Sequence, residues 1–308
     1  MNITFRQLRL FLALAETGSV GGAARATHVS QPTASMQLRE VTNAVGLPLY
    51  EVIARRVHLT DAGRELARTA RNISNEWDAF EQKVDETKGL KRGKLRVAVV
   101  STAKYFVPRL LGSFCALYPE IEIALEVLNR DGVMQRLREN LDDLWIMSMP
   151  PTDIELADQV FMPNPLVVIA ATAHPMAGRR HIELGELHSQ RFILREVGSG
   201  TRMAIDAFFK RHKFKPQVRL ELGSNEAIKE SVAGELGIAV VSRHALYANA
   251  VDTAVTVLNV KGFPINSNWH VVHPSGKNLS PIAKVFLEHL RSESQRWLQQ
   301  RVQRSSRS

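Results

Sequence analysis

The chain has 308 residues, too many for one ordinary core, so two or three domains are expected. It carries 40 Lys and Arg against 31 Asp and Glu, a formal +9, which points to an anionic partner: nucleic acid, a membrane surface or an acidic metabolite. A content of 44% hydrophobic and 23% charged residues excludes general disorder, and the single cysteine, Cys115, excludes an intrachain disulfide framework, a CxxC redox pair and a cysteine zinc site.

Arg6 and Arg9 interrupt the first apolar residues at helical spacing, so no secretion signal is expected. Apolar runs such as Leu166 to Ala173 fall far short of the roughly 20 residues a membrane span needs. A reducing cytoplasm is the expected compartment, with no membrane partner.

Phe5, Leu8, Phe11, Leu12 and Ala15 recur at helical spacing, and Gly18 then supplies a stop before Ser19 caps a short alanine-rich helix from Val20 to Thr27. Ser30 caps a third helix with Pro32 in its first turn, where a missing N–H costs nothing. In that helix Ala34, Leu38 and Val41 share one face, leaving Gln31, Thr33, Ser35, Met36 and Arg39 outward, a polar row suited to a DNA groove. Gly46 ends it. Pro48 to Thr60 alternates as a small hairpin with Arg55 and Arg56 in it, the natural wing after a helix-turn-helix.

From Asp61 the apolar positions become Leu66, Ala70, Ile73, Trp77, Phe80 and Val84, at intervals of four and three. That is a narrow heptad seam along a helix of about 25 residues, which pairs with a second copy or packs on its own domain. After Gly89 to Gly93 a buried-strand run, Leu95 to Val100, leads to a helix from Tyr105 to Leu117. Strand Ile121 to Val127, a helix through Met134 and strand Leu144 to Met147 follow, a βαβαβ order that predicts a parallel sheet. A second such unit comprises strands Leu166 to Ala171, Phe192 to Arg195, Val218 to Leu222 and Ile238 to Val241 with helices Thr201 to Arg211 and Glu226 to Ala233. Strand Trp269 to His273 and helix Ile282 to Leu298 close the chain.

Between a strand and a helix lies Arg195-Glu196-Val197-Gly198-Ser199-Gly200-Thr201-Arg202. Its glycines allow close approach, and free amides at Ser199 to Thr201 with the helix dipole favour an anion; the alternative is a plain strand-to-helix turn. Ser101, Thr102 and Lys104 form a matching set after the first strand, so two helix starts facing one cleft would clamp a carboxylate or phosphate. Asn129 and Asn225 stand at strand ends where an α/β cleft forms, with capping an equal role for Asn225. Cys115 reads as a buried inert thiol. None of the ten histidines forms a metal-spaced pair, and neither GxSxG nor GxxxxGK[ST] occurs, so no metal, cofactor or catalytic residue is expected.

The order Phe5-Arg6-Gln7-Leu8-Arg9-Leu10-Phe11, Gly18-Ser19, Ala23-Ala24, Ser30-Gln31-Pro32, Leu38-Arg39, Leu49-Tyr50-Glu51 and Leu59-Thr60-Asp61-Ala62-Gly63 resembles the N-terminal domain of LysR-type transcriptional regulators. The resemblance implies an α/β protein with a winged helix-turn-helix (1–60), a linker and dimerisation helix (61–90) and a two-lobed periplasmic-binding-protein-like effector domain (91–163 with 268–300, and 164–267), then a basic tail (301–308). It implies a homodimer or tetramer on double-stranded promoter DNA, an anionic effector, and RNA polymerase as a further candidate partner. Met36 and Val52 depart from the arginines that many members carry there. Ser101 to Phe106, Leu141 to Leu144, Asn164 to Ala170, Arg195 to Arg202 and Leu222 to Lys229 look like the branch controlling RuBisCO and Calvin-cycle operons, which implies a phosphorylated effector; branches for sulfur, nitrogen or inorganic-carbon uptake share these phrases. A solute-binding protein, or an enzyme acting on a phosphorylated substrate at Gly198 to Arg202, are the alternatives of other classes.

Overall fold

The computed structural model describes residues 2–54, 56–87, 92–247 and 254–305, with backbone alone at 295 and 297–305. The chain divides into two compact units, the first ending at Val84 apart from a short return at Glu139–Leu141. In the first, hydroxyl residues start each of three helices: Thr4 caps α1 (Phe5–Thr17), Ser19 caps α2 (Val20–Ala26) and Ser30 caps α3 (Gln31–Val45), each side chain accepting from an amide three residues on. Left-handed glycines, Gly18 and Gly46, end α1 and α3. The apolar faces meet in one small core of Leu10, Phe11, Leu14, Ala23, Ala34, Leu38 and Val41. The wing is an antiparallel pair, β1 (Tyr50–Ile53) and β2 (Arg56–Leu59), with Val52 opposite Val57.

Helix α4 (Asp61–Thr87) starts hard against the wing. Thr60 Oγ1 accepts from the Gly63 amide at 3.0 Å and donates to Pro48 O at 2.7 Å. A methyl carbon at Gly63 would lie 1.8 Å from Leu49 O, so only glycine fits at this junction. The heptad stripe then divides. Leu66 packs on the helical core and Ala70 is fully buried, whereas Ile73, Trp77 and Phe80 remain 43%, 48% and 56% exposed. The first turns of the stripe therefore pack on their own domain, and further along Trp77 meets the Phe5 ring of α1 at 5.7 Å while keeping about half of its surface open.

The second unit contains two five-stranded sheets. The first, in order β4-β3-β5-β12-β6, uses β3 (Gly93–Val100), β4 (Ile121–Leu128), β5 (Leu144–Met147), β6 (Leu156–Pro163) and β12 (Asn268–Pro274), with α5 (Val107–Leu117), α6 (Arg130–Arg138) and α9 (Pro281–Ser305). The second, β11-β7-β10-β8-β9, uses β7 (Leu166–Ala171), β8 (Arg191–Arg195), β9 (Gln217–Leu222), β10 (Ile238–Ser242) and β11 (Val255–Leu258), with α7 (Gly200–Arg211) and α8 (Asn225–Ala233).

The parallel sheet expected from the βαβαβ order is present in β3, β4 and β5; in the second sheet β8, β9 and β10 are parallel, but β7 runs antiparallel to β10, which corrects the expectation there. In the first sheet β12 runs antiparallel to both β5 and β6. The reason is topological: β6 leaves for the other lobe and β12 returns from it, so the adjacent pair must run in opposite directions. Asn164 N donates to Ser267 O at 2.8 Å and Leu166 N to Ile265 O at 3.0 Å, tying the two crossover segments together. β6 and β11 were not expected from the sequence, the helix expected from Tyr105 is a 3-10 turn, Ser101–Tyr105, followed by α5, and the closing helix continues to Ser305 through most of the expected basic tail. No helix among the described residues is long and apolar enough to cross a membrane.

Candidate functional site

On α3 the outward row is present as a surface: Gln31, Pro32, Met36 and Arg39 are exposed, and Thr33 and Ser35 half-buried. Thr33 is committed to the helix start, its amide donating to Ser30 Oγ at 3.2 Å and its hydroxyl sharing a 2.7 Å bond with the same oxygen. Arg56 is exposed on the wing, while Arg55 lies outside the described residues. Gly21 approaches both Gln31 and Arg25, so α2 adds a cation beside the start of α3 that sequence spacing did not identify. A convex polar helix with cations at both ends can lie in a major groove, with arginines meeting phosphate and shorter side chains meeting base edges.

In the second unit the parallel strands of the two sheets bring their C-terminal ends together. Arg195, at the end of β8, is 2% exposed, and all five of its N–H donors are used. Nε and Nη2 grip the Glu196 carboxylate at 2.6 and 2.7 Å. Nη1 donates to Thr102 Oγ1 at 3.0 Å and to Asn225 Oδ1 at 3.3 Å, and Nη2 to Ser101 Oγ at 3.3 Å. One guanidinium therefore joins β8 and α8 of one lobe to the 3-10 turn of the other.

That network fixes donor polarity. Asn225 must face Arg195 with its oxygen, so its Nδ2 donates to Thr102 Oγ1, at 3.1 Å. With two donors on its oxygen, the buried Thr102 hydroxyl has only its own hydrogen left, and no acceptor for it occurs among the described residues. Ser224, not Asn225, caps α8, accepting from Ala227 N at 3.3 Å. Across the same gap Glu226 accepts from Tyr105 Oη at 2.7 Å and pairs with Lys104 Nζ at 3.0 Å. Burial works against the Glu226 carboxylate, but the bonds from Tyr105 and Lys104 outweigh it and hold its pKa at about 2. Tyr105 is pushed up by burial and by that carboxylate.

At α7, Ser199 Oγ accepts from Arg202 N at 3.1 Å, and the first two helical amides, Gly200 and Thr201, have no intrahelical acceptor. A methyl carbon at Gly200 would come within 2.8 Å of Ser148 O in the other lobe, so this helix start sits directly on the backbone that follows β5. Three expected site residues are otherwise engaged. Arg202 turns away to Asp206 at 3.0 Å and Glu221 at 2.9 Å; Asn129 Oδ1 caps α6 through the Gly132 amide at 2.9 Å; Arg195 has no N–H left for a ligand. Of the residues expected from the sequence, those that still offer a donor to an anion are Thr102, through its O–H, and Gly200 and Thr201, through their amides. No group of three or more His, Cys, Asp or Glu among the described residues could hold a metal ion.

Comparison with known proteins agrees with this division. Residues 5–64 match the model of the bacterial regulatory helix-turn-helix protein, lysR family, and residues 88–295 match the LysR substrate binding domain. The chain is 42% identical to the HTH-type transcriptional activator CmpR of Synechocystis sp., over 94% of this chain and 95% of the relative. It is 41% identical to the RuBisCO operon transcriptional regulator of Acidithiobacillus ferrooxidans, over 93% of each. Among solved structures, the regulatory domain of Synechocystis PCC6803 CcmR in complex with 2-PG aligns with a TM-score of 0.64 and 48% identity, covering 66% of this chain and 98% of that one. A full-length point variant of OxyR from Pseudomonas aeruginosa shares the fold along 95% of this chain and 94% of its own, with a TM-score of 0.78 at 20% identity. The matched family consists of transcriptional regulators, not enzymes. The chain belongs to the LysR family of DNA-binding transcriptional regulators.

Proposed function

We propose that this regulator controls carbon-fixation genes, acting as an activator in the cytoplasm, and that it responds to a small phosphorylated metabolite held between the lobes of its effector domain (91–163 with 268–300, and 164–267). The observation that carries the reading is the similarity along nearly the whole chain to a RuBisCO operon regulator, 41% identical over 93% of each. Cleft chemistry supports the ligand class, because the Thr102 hydroxyl and the amides of Gly200 and Thr201 offer hydrogens and call for an oxyanion. Half-exposed apolar residues on α4, Ile73, Trp77 and Phe80, suit pairing with a second copy, so that two α3 helices read the half-sites of an interrupted palindrome on double-stranded DNA. A tetramer built through the effector domains, and contact with RNA polymerase, complete the proposed assembly. Ligand entry would shift the lobes and, through them, the bend imposed on the promoter.

Gel retardation tests the DNA half. Purified protein is expected to retard a fragment upstream of a RuBisCO operon, and Arg39→Ala to weaken binding and lower the salt slope by about one. Failure to retard that fragment and random DNA alike at low salt would refute it. For the ligand half, 2-phosphoglycolate, the compound bound in the CcmR domain, is expected to raise Tm, and Thr102→Ala, which removes the hydroxyl donor, to reduce the rise. No shift with this or any phosphorylated sugar would overturn the ligand class.

A further inference from the structure

Arg130 is the first residue of α6 and follows the end of β4, so it stands at the same sheet edge as Ser101, Thr102 and Ser148. Its placement carries three costs that no ion pair offsets. The side chain is half-buried, and burial pulls its pKa below the ordinary guanidinium value. A cation at the first turn also opposes the positive end of the α6 dipole. Finally, no carboxylate among the described residues pairs with it: Asp131 and Asp153 act on it only at a distance, and Asp153 is bonded to Arg138 at 3.1 Å.

Of its donors, only Nη1 is engaged, bonding Ser148 O at 3.3 Å and touching Met147 Sδ at 4.0 Å. Nε and Nη2 have no acceptor among the described residues. The contrast with Arg195, every donor of which is satisfied, is direct. The carbonyl that Arg130 holds is the one on which Gly200 is packed, so the open guanidinium and the unpaired amides of α7 flank one backbone group.

We propose that Arg130 is the charge-recognising residue of the effector site, its free Nε and Nη2 edge receiving an anionic oxygen pair of the ligand opposite the start of α7. The assignment rests on the reading of the cleft as an anion site. It gives Arg130, not Arg195 or Arg202, the direct contact, because those two are already neutralised by Glu196 and by Asp206 and Glu221. A planar two-oxygen group, as on a carboxylate or phosphate, matches that fork.

The test is calorimetric titration of the full chain with 2-phosphoglycolate and, separately, inorganic phosphate, comparing wild type with Arg130→Gln and Arg130→Lys. Arg130→Gln is expected to keep the ligand-free Tm of wild type or exceed it, since an unpaired cation is removed, and to lose about tenfold to hundredfold in affinity. Arg130→Lys, which keeps the charge and loses the fork, is expected to fall between the two. If wild type binds and Arg130→Gln binds equally well, the Arg130 assignment fails while the anion site stands. If wild type binds neither compound, the anion-site reading fails and takes the assignment with it. A ligand-free Tm several degrees below wild type in both variants would also overturn it, by showing that Arg130 serves the fold.

Discussion

Replacing Arg195 by Met should be far more damaging than replacing Arg202 by Met, although the two arginines lie seven positions apart and each makes ion pairs. Arg195 loses five hydrogen bonds, two to Glu196 and one each to Ser101, Thr102 and Asn225. Glu196 keeps 29% side-chain exposure and recovers some hydration, whereas Thr102 and Asn225, at 4% and 3%, cannot. Breaking a buried pair by removing one partner costs about 3–5 kcal/mol, and that range is expected here. Arg202 faces Asp206 and Glu221 carboxylates that are 53% and 43% exposed, which solvate readily, so its loss should cost under about 1 kcal/mol. Urea unfolding read through the buried Trp145 and Trp269 measures both. Adding Glu196→Gln to Arg195→Met should restore about 1–2 kcal/mol by removing the stranded charge. A loss below about 1 kcal/mol for Arg195→Met, or no recovery in the double variant, would refute the account of Arg195 as a saturated hub.

Three further outcomes follow from the same geometry. The Glu226 pKa, at about 2 against an ordinary 4.5, stabilises the fold fully above pH 4.5 and loses that contribution as pH falls towards 2. With its side chain 47% exposed the contribution is at most about 1 kcal/mol, so Glu226→Gln should lower Tm by about 2–4 °C at pH 7 and by progressively less below pH 4.5; a gap independent of pH would contradict this. Trp77→Ala should remove roughly 100 Å² of apolar surface per protomer, about 2.5 kcal/mol each, and weaken self-association at least about a hundredfold by sedimentation equilibrium; an unchanged constant would exclude this face from the interface. Gly63→Ala, which in an ordinary helix gains about 1 kcal/mol, should instead cost about 1–3 kcal/mol because the new carbon meets the Leu49 carbonyl; a higher Tm would disprove the close approach.

The first unit was legible because its signals are local. Thr4, Ser19 and Ser30 cap helices only a few residues away, and the Ala34, Leu38, Val41 face needs nothing but a 3.6-residue period. The α/β lobes were legible as elements but not as sheets, since the direction of β12 depends on a crossover from residues far away in the chain. β6, with Asp158 and Gln159 in an edge strand, lacks the apolar run that marks a buried one. At the cleft, residue type located the right neighbourhood, and Ser101, Thr102, Arg195 and Asn225 do converge. Which arginine is saturated and which is open could not be read, because saturation of a guanidinium is a tertiary property. Asn129 drew attention through its strand-end position, and the same logic applies to its neighbour Arg130.

The junction between wing and α4 also acts as a protractor. Thr60 and Gly63 fix the first turn of the helix against Pro48 and Leu49, so every later side chain has a set azimuth relative to α3. Each residue turns a helix by about 100° and advances it by about 1.5 Å. One residue inserted between Ala70 and Ile73 would leave three intact helices, an intact wing and the Leu66 and Ala70 packing, yet rotate the later positions Ile73, Trp77 and Phe80 by more than a quarter turn. Two such copies could still pair through Trp77 and Phe80 while aiming their α3 helices away from a common duplex. Assembly and operator reading would then separate, and the rotational phase of α4, rather than any contact with a base, would be the cause.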